Sequence, residues 1–154
     1  MERTFVAIKP DAVQRGLIGE IIERFEKKGF KIIALKMIHL DEEMAKKHYA
    51  EHIGKPFFNN LVSFITSGPI VAMVLQGVNV VALVRKMMGA TNPQEAEAGT
   101  IRSDYAQIKE RNVVHGSDCI ESAKREIALF FDESELHATW NRDAGKWITE
   151  PEMR

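Results

Sequence analysis

The alternation of short apolar segments with amphipathic segments limits the folds open to this chain more than any other sequence feature. Residues 4–8 read Thr-Phe-Val-Ala-Ile, residues 30–40 are apolar and rich in β-branched side chains, and residues 70–76 are almost continuously apolar. These segments are typical of strands, and Val113-Val114 is a short fourth candidate. The sequence therefore predicts four strands.

Amphipathic segments between and after these strands predict helices, because their apolar residues recur at helical spacing and their ends carry turn or capping residues. The predicted helices are residues 17–28 ended by Gly29, a helix from Asp41 to His52, a helix beginning at Pro56 and stopped by Gly68-Pro69, residues 80–88 closed by Gly89, and a helix begun by Asp118 with Glu121 that runs to about Phe131.

Three further segments are expected to be irregular. The first strand delivers Lys9 to its carboxyl end, before a predicted turn at Pro10-Asp11. Residues 90–112 are mostly polar and too long for a plain connector, which is typical of a functional loop. The residues after 131, with Trp140 and Trp147 among polar residues, are expected to form an irregular tail packed on a surface.

Two β-α-β halves follow one another in this order of elements, which favours an α/β fold of the α+β sandwich type. The specific expectation is the ferredoxin-like arrangement, a four-stranded antiparallel sheet with helices on one face. A small doubly wound parallel sheet remains the alternative, since periodicity does not separate the two. No internal repeat or linker divides the sequence, so residues 1–154 are expected to form a single domain.

Composition excludes several classes of protein. The chain of 154 residues carries 21 Lys and Arg against 22 Asp and Glu, a net charge of −1, which argues against a general polyanion binder. Its single cysteine, Cys119, excludes an intrachain disulfide framework and a multi-cysteine zinc site and fits a reducing compartment. The apolar stretches are too short for a signal peptide or a membrane span, so we expect a cytoplasmic protein with no membrane partner.

The common nucleotide-binding loops are absent from the sequence, which contains neither G-x-x-x-x-G-K-[ST] nor G-x-G-x-x-G. The string from His48 through Glu51 to His52 does match the H-x-x-E-H pattern of some zinc peptidases. Two histidines four residues apart on one helix can share a metal. A zinc hydrolase is therefore one alternative, although the pattern is short and no third ligand is evident.

The segment from Asn112 to Asp118 is more specific, because it places His115 where a predicted strand leads into a helix amino terminus. Unpaired backbone N–H groups and the helix dipole favour an anion at such a junction. The ordinary pKa of a histidine is about 6.5, so a neutral imidazole there can attack phosphorus. His115 is therefore a candidate nucleophile in phosphoryl transfer.

These residues closely resemble the nucleoside diphosphate kinase family. The resemblance also includes Lys9-Pro10-Asp11, the loop with Thr91-Asn92-Pro93 and Gly99-Thr100-Ile101-Arg102, and the segments Arg15 to Ile22, His48-Tyr49, Pro56-Phe57-Phe58 and Ser67-Gly68-Pro69. It extends from Arg3 to about Glu150, essentially the whole chain.

The resemblance implies transfer of the terminal phosphate of a nucleoside triphosphate to a nucleoside diphosphate, in ping-pong order through a phosphohistidine. It implies Mg²⁺ as cofactor, held through the nucleotide phosphates with no direct protein ligand. The implied partners are nucleoside triphosphates and diphosphates such as ATP and GTP, with no requirement for nucleic acid. The resemblance also implies a homo-oligomer, with a hexamer favoured over a tetramer.

The resemblance also assigns site residues. His115 falls on the nucleophile, and Glu126 on the carboxylate that fixes the other imidazole nitrogen. The expected substrate contacts are Tyr49 and Lys9 near the transferred phosphate, Lys9 also at the sugar, Arg85, Thr91 and Arg102 at the phosphates, Asn112 at the ribose, and Phe57 stacked on the base.

Three positions depart from the family pattern: Ala12 replaces a common glycine, Lys109 an apolar residue that often covers the base, and Cys119 a Gly, Ser or Ala. Lys109 is expected to affect the affinity for the base, and Cys119 leads to the hypothesis that oxidation lowers activity. Two alternatives remain: a catalytically silent nucleotide-binding or regulatory protein of the same fold, and a nucleic-acid-binding module, since this fold class also includes RNA-binding proteins. The first would bind ATP without forming a phosphoenzyme.

Overall fold

The computed structural model describes residues 1–150. Four strands form its sheet, namely β1 (Arg3–Ile8), β2 (Lys31–Ile38), β3 (Ile70–Gln76) and β4 (Val114–Gly116). Their spatial order is β2-β3-β1-β4, and each neighbouring pair is antiparallel. This pairing confirms the predicted ferredoxin-like sheet and contradicts the doubly wound parallel alternative.

The described residues contain seven α-helices: α1 (Pro10–Gln14), α2 (Ile18–Lys28), α3 (Glu42–His48), α4 (Phe58–Ile65), α5 (Val80–Met88), α6 (Ile101–Tyr105) and α7 (Ile120–Phe130). Short 3-10 helices cover Ala50–His52, Pro93–Glu95, Glu133–Glu135 and Asp143–Trp147. Within residues 1–150, no helix is long and apolar enough to cross a membrane.

Two apolar cores lie against the two faces of the sheet. Phe5 and Ala7 of β1 belong to one core, whereas Val6 and Ile8 belong to the other, as the two-residue period of a strand requires. Residues of α2 and α5 complete the second core, while residues of α3, α4 and α7 complete the first. Helices therefore cover both faces of the sheet, and the expectation that they lie on one face was wrong.

Several helix limits differ from those predicted. Pro10-Asp11 opens the short helix α1 rather than a plain turn, since proline suits a first helical position. The predicted helix from Asp41 to His52 ends at His48 and continues as a 3-10 helix. Asp41 does cap it, accepting a 2.8 Å hydrogen bond from the Met44 amide.

The remaining differences concern helix starts and the long loop. α4 begins at Phe58, two residues after Pro56. Cys119 rather than Asp118 caps α7, with its Sγ accepting from the Ser122 amide at 3.4 Å. Residues 90–112 contain α6 and the 3-10 helix Pro93–Glu95, so this predicted loop has secondary structure of its own.

The residues after α7 pack along β2, as expected of the tail. The His137 amide donates to the Ile33 carbonyl at 2.7 Å, and Trp140 Nε1 donates to the Ile32 carbonyl at 3.0 Å. Further along, Arg142 donates to the carbonyl of Gly29, the residue that ends α2 with a φ of 102°. Such a left-handed C-terminal residue favours glycine.

Candidate active site

His115 lies in β4, directly opposite Ala7 of β1. Directly opposed residues of antiparallel strands share a face, so its side chain points to the face covered by α3, α4 and α7. The His115 ring lies 6.0 Å from the Phe5 ring on the same face. The sheet thus presents the predicted nucleophile to side chains on the covering helices.

Glu126 of α7 is the main partner of His115. Its Oε1 lies 2.9 Å from His115 Nε2, and its Oε2 accepts a hydrogen bond from Ser117 Oγ. Glu126 is 4% exposed, so it is not a surface residue of the helix. A carboxylate only accepts hydrogen bonds, so this contact places the imidazole proton on Nε2 and leaves a lone pair on Nδ1.

His48 and Tyr49, at the carboxyl end of α3, pack beside this pair. The His48 ring meets the His115 ring edge-on at 4.9 Å, and the Tyr49 ring lies 4.6 Å from His48. Burial, and then the charge of His115, hold the pKa of His48 well below its usual range. Burial and Glu126 raise the pKa of Tyr49 to about 12, so Tyr49 retains its hydroxyl proton as a donor.

Lys9 and Asn112 meet at the end of β1. Lys9 Nζ donates to Asn112 Oδ1 at 2.7 Å, and Asn112 Nδ2 donates to the Thr91 carbonyl at 2.9 Å. Burial, and then the Arg102 charge, lower the pKa of Lys9 to about 8, while Asp11 acts in the opposite direction. Lys9 is consequently still mostly a cation at neutral pH.

Arg102 of α6 is buried and holds the ends of the long loop together. It donates to the carbonyls of Gly89 at 3.0 Å, Val114 at 2.7 Å and Asn112 at 3.3 Å. A guanidinium has five N–H groups, so two remain available to a ligand. Burial, followed by the charge of Arg85, lowers the pKa of Arg102 to about 10, so Arg102 still carries its charge at neutral pH.

Three predicted substrate contacts, Arg85, Thr91 and Phe57, are exposed. Phe57 is 46% exposed and its ring lies 5.4 Å from that of His52, whereas the adjacent Phe58 is buried in the first core. Of these two adjacent phenylalanines, Phe57 therefore lies at the surface and Phe58 in the core. An exposed aromatic face is what base stacking requires.

The zinc alternative is not supported by the geometry. Because α3 ends at His48, His48 and His52 do not share a helix face; His52 lies on a 3-10 helix with Nε2 3.7 Å from Glu51 Oε1. Among the described residues, the group with suitably close ligand atoms is instead His48, His115 and Glu126, all within 4.8 Å. The hydrogen bond between His115 and Glu126 accounts for that proximity.

Sequence reasoning missed two polar residues of this cluster. Ser117 follows His115 by two residues, and that strand spacing was an available signal that both side chains share a face. His48 was considered as a zinc ligand and as part of the segment His48-Tyr49 of the resemblance, without a role of its own at the site. Its burial against Phe5 and Phe130 depends on the packing of α3 and α7, which no local pattern reveals.

Comparison with known proteins is consistent with this geometry. The sequence matches the family model for nucleoside diphosphate kinase over residues 2–136. It is 59% identical over 148 residues to a nucleoside diphosphate kinase of Listeria monocytogenes serotype 4a (strain HCC23), covering 96% of this chain and 100% of the relative. A relative of the same description from Heliobacterium modesticaldum is 57% identical over 150 residues, covering 97% of this chain and 100% of that one.

Solved structures agree in fold. A halophilic nucleoside diphosphate kinase from Halobacterium salinarum in complex with CDP has a TM-score of 0.92 and 55% identity, covering 96% of this chain and 97% of that chain. A nucleoside diphosphate kinase family protein from Babesia bovis has a TM-score of 0.93 and 48% identity, covering 96% and 99%. This chain therefore belongs to the nucleoside diphosphate kinase family, and it is a phosphotransferase that moves the terminal phosphate of a nucleoside triphosphate to a nucleoside diphosphate through a phosphohistidine.

Proposed function

We propose that His115 is the residue that carries the phosphate, and that its Nδ1 is the attacking atom. The observation that carries this proposal is the 2.9 Å contact between His115 Nε2 and Glu126 Oε1. Since Glu126 holds the proton on Nε2, Nδ1 keeps the lone pair that a nucleophile needs. Ser117 holds the other carboxylate oxygen and so fixes the orientation of Glu126.

The reaction then balances in two symmetrical steps. Nδ1 forms a bond to the terminal phosphorus while the bond from that phosphorus to the bridging oxygen breaks, and the nucleoside diphosphate leaves with the electron pair. A second diphosphate attacks the phosphohistidine and returns the imidazole to its starting state. One site serves both steps because donor and acceptor are chemically alike.

Phosphate binding is assigned to the cationic and hydroxyl groups around His115. Arg102 has spare donors and lies near Arg85, while Lys9 is a partly buried cation. Tyr49 and Thr91 supply neutral donors. Such groups stabilise charge that shifts among phosphoryl oxygens, and loss of one costs about a hundredfold to a thousandfold in rate.

The nucleoside is assigned to Asn112, Lys9 and Phe57. Asn112 and Lys9 are joined at 2.7 Å and both offer polar atoms to a sugar. Phe57 offers an aromatic face and no base-specific hydrogen bond, so we expect several bases to be accepted. The similar Halobacterium salinarum enzyme holds CDP, which supports nucleotide binding here.

Mg²⁺ is proposed to enter on the nucleotide phosphates. Lys9, Arg85 and Arg102 are all cationic and fit phosphate rather than a bare metal ion. Mg²⁺ bound to the nucleotide neutralises part of the phosphate charge during transfer. The chain's own contribution is to orient those phosphates toward His115.

A homo-oligomer, and a hexamer rather than a tetramer, is proposed as the functional assembly. Leu35 and Met37 lie on the edge strand β2 and are 51% and 57% exposed, which suits burial against another copy. Light scattering of the purified protein is expected to give about six times the 17.4 kDa chain mass. A mass of 17.4 kDa at micromolar concentration would contradict the proposal.

A single kinase domain in the cytoplasm completes the proposal. The family match covers residues 2–136, and residues 137–142 are hydrogen-bonded to β2 and the end of α2. Residues 151–154 of the expected domain lie outside the described residues.

Cys119 is an exposed free thiol, which suits a reducing compartment. Fluorescence of a tagged chain at the cell membrane would contradict this location.

The decisive test is incubation of the protein with γ-labelled ATP and Mg²⁺, without a diphosphate acceptor. We expect an acid-labile label on His115 that added diphosphate removes. His115→Asn should abolish the label. His137→Asn, which changes an exposed histidine that is not assigned to the site, should keep it. ATP binding without label would favour the catalytically silent alternative.

A further inference from the structure

Val113 has a backbone conformation that its side chain disfavours. Its φ is 64°, in the left-handed region, although it is a fully buried β-branched residue. The Val114 amide donates to the Asn112 carbonyl at 2.8 Å, which closes a three-residue γ-turn around Val113. This strained turn separates Asn112 from β4 and His115, so its shape sets the distance between the two.

Asp11 supplies the side-chain contact that holds this turn. Its Oδ2 accepts a 3.1 Å hydrogen bond from the Val113 amide, across 102 positions of sequence. On the other side of the same residue, the Lys9 amide donates to the Val113 carbonyl at 2.9 Å. The amino end of α1 thus binds both the N–H and the C=O of the strained residue.

One oxygen of the Asp11 carboxylate is buried, which costs folding free energy. Its Oδ1 is buried with no hydrogen-bond partner. A buried polar atom without a partner is unfavourable, and such sites persist where the surrounding structure needs the group. Helix capping does not explain why Asp11 lies here, because no side-chain cap is formed at the start of α1.

We propose that Asp11 is a positioning residue for phosphoryl transfer, whose carboxylate holds the strained Val113 turn and so fixes Asn112 and His115 relative to one another. This inference rests on the roles proposed above for those two residues. Asp11 itself contacts no reacting atom; it acts through the Val113 amide. Loss of the carboxylate lets Val113 relax toward negative φ and moves Asn112 away from its sugar-binding position.

The negative charge of Asp11 has a second effect, on Lys9. Burial, and then the charge of Arg102, lower the pKa of Lys9, whereas the charge of Asp11 raises it; the charge of Lys9 in turn acts on His48. Without Asp11, the pKa of Lys9 falls below its value of about 8. A purely structural anchor would leave the alkaline limit of activity where it is, so the pH profile separates the two roles.

The test uses Asp11→Ala and Asp11→Asn. Asp11→Ala removes both anchor and charge, and we expect the single-turnover rate of His115 phosphorylation to fall about tenfold or more, with a raised nucleotide KM. Asp11→Asn keeps an acceptor for the Val113 amide, so it should recover most of this rate at pH 6.5 while its alkaline limit moves to lower pH. Asp41→Ala, which removes a carboxylate cap from the Met44 amide at the opposite end of α3 from His48, is the matched control.

A double-mutant cycle with Val113→Gly tests the strain directly. Glycine adopts positive φ without a steric cost, so Asp11→Ala should reduce the rate less in the Val113→Gly background than in the Val113 background. Equal reductions in the two backgrounds would overturn the role of strain. An Asp11→Ala enzyme with a rate within twofold of the parent and an unshifted alkaline limit would overturn the whole inference.

These readouts also distinguish this inference from the proposed function. If His115→Asn still acquires the acid-labile label, the assignment of the nucleophile fails, whatever Asp11 does. If the parent is labelled on His115 and Asp11→Ala behaves like Asp41→Ala in rate, KM and pH profile, the nucleophile stands and the positioning role of Asp11 fails. If Asp11→Ala does not fold, the alkaline limit of Asp11→Asn tests the inference: a shift to lower pH supports it, and an unshifted limit overturns it.

Discussion

Lys9 Nζ and Asn112 Oδ1 are joined by a 2.7 Å hydrogen bond that links residues 103 positions apart. The bond lies where β1 ends beside the turn leading into β4. It places a partly buried cation beside the segment that carries His115. Because the surroundings of Lys9 lower its pKa to about 8, the charge on this side chain is sensitive to mildly alkaline pH.

The pH profile should reveal this property. The pKa of Lys9 is lowered, so its charge is complete well below pH 8 and is lost as the pH rises through about 8. We expect kcat/KM to decline with that pKa on the alkaline side. In Lys9→Arg, whose guanidinium stays charged, the decline should move to higher pH. Superimposable alkaline profiles of the two enzymes would contradict the assignment.

Glu126→Gln should impair phosphorylation of His115 by roughly 100-fold. A glutamine amide can donate to Nε2 as well as accept from it, so the proton is no longer held on Nε2 and Nδ1 loses its lone pair in part of the population. Rapid-quench measurement of phosphoenzyme formation provides the rate. Glu121→Gln, an exposed change on the same helix, should have no effect.

Ser117→Ala should affect stability more than it affects chemistry. Removal of the hydroxyl leaves Glu126 Oε2 buried without its donor, at a cost of about 1–3 kcal/mol. Urea unfolding measures this loss. The phosphorylation rate should fall less than in Glu126→Gln, since the His115 contact remains. A Ser117→Ala protein as stable as the parent would show that the bond contributes little.

Phe57→Ala should raise KM for ATP, GTP and CTP to a similar extent, because stacking contributes about 1–3 kcal/mol per base and does not depend on base identity. kcat should change little, since the ring is assigned to the base rather than to the phosphates. Val78→Ala removes another exposed apolar side chain and is the control. A selective loss for one base would point to hydrogen-bond recognition instead.

Cys119→Ser should strengthen the amino terminus of α7 by about 0.5–1 kcal/mol, because a hydroxyl is a better cap for the Ser122 amide than a thiol. Thermal unfolding measures the gain. Peroxide treatment is expected to lower the activity of the parent and to spare Cys119→Ser, since the thiol is exposed close to His115 in sequence. Equal peroxide sensitivity would exclude Cys119 as the target.

Local sequence signals predicted the limits of helices well where a single residue, such as a glycine, ends the helix. Gly29 and Gly89 end α2 and α5 at the predicted positions, and β3 has the predicted limits. The end of α3 was missed because the chain after His48 and Tyr49 is helical again, as the 3-10 helix from Ala50 to His52. Periodicity alone does not resolve that change of helix type.

The site was predictable in its residues but not in its internal contacts. The segment around His115 carries a recognisable pattern, and Glu126 follows from the resemblance. The burial of His48 beside Glu126 and the contact of Asp11 with Val113 arise from packing between residues about 80 and 100 positions apart. The positive φ of Val113 was also unexpected, because valine gives no sequence sign of it.

The hydrogen bonds from His137 and Trp140 to the carbonyls of Ile33 and Ile32 occupy one end of the outer side of β2. Every residue assigned to phosphoryl transfer precedes this segment. Shortening the chain after Leu136 would leave those residues in place and bare the β2 edge along its whole length. Loss of this segment would therefore first let the β2 edges of different molecules pair with one another. The chemistry of His115 would be affected only as a result of that association.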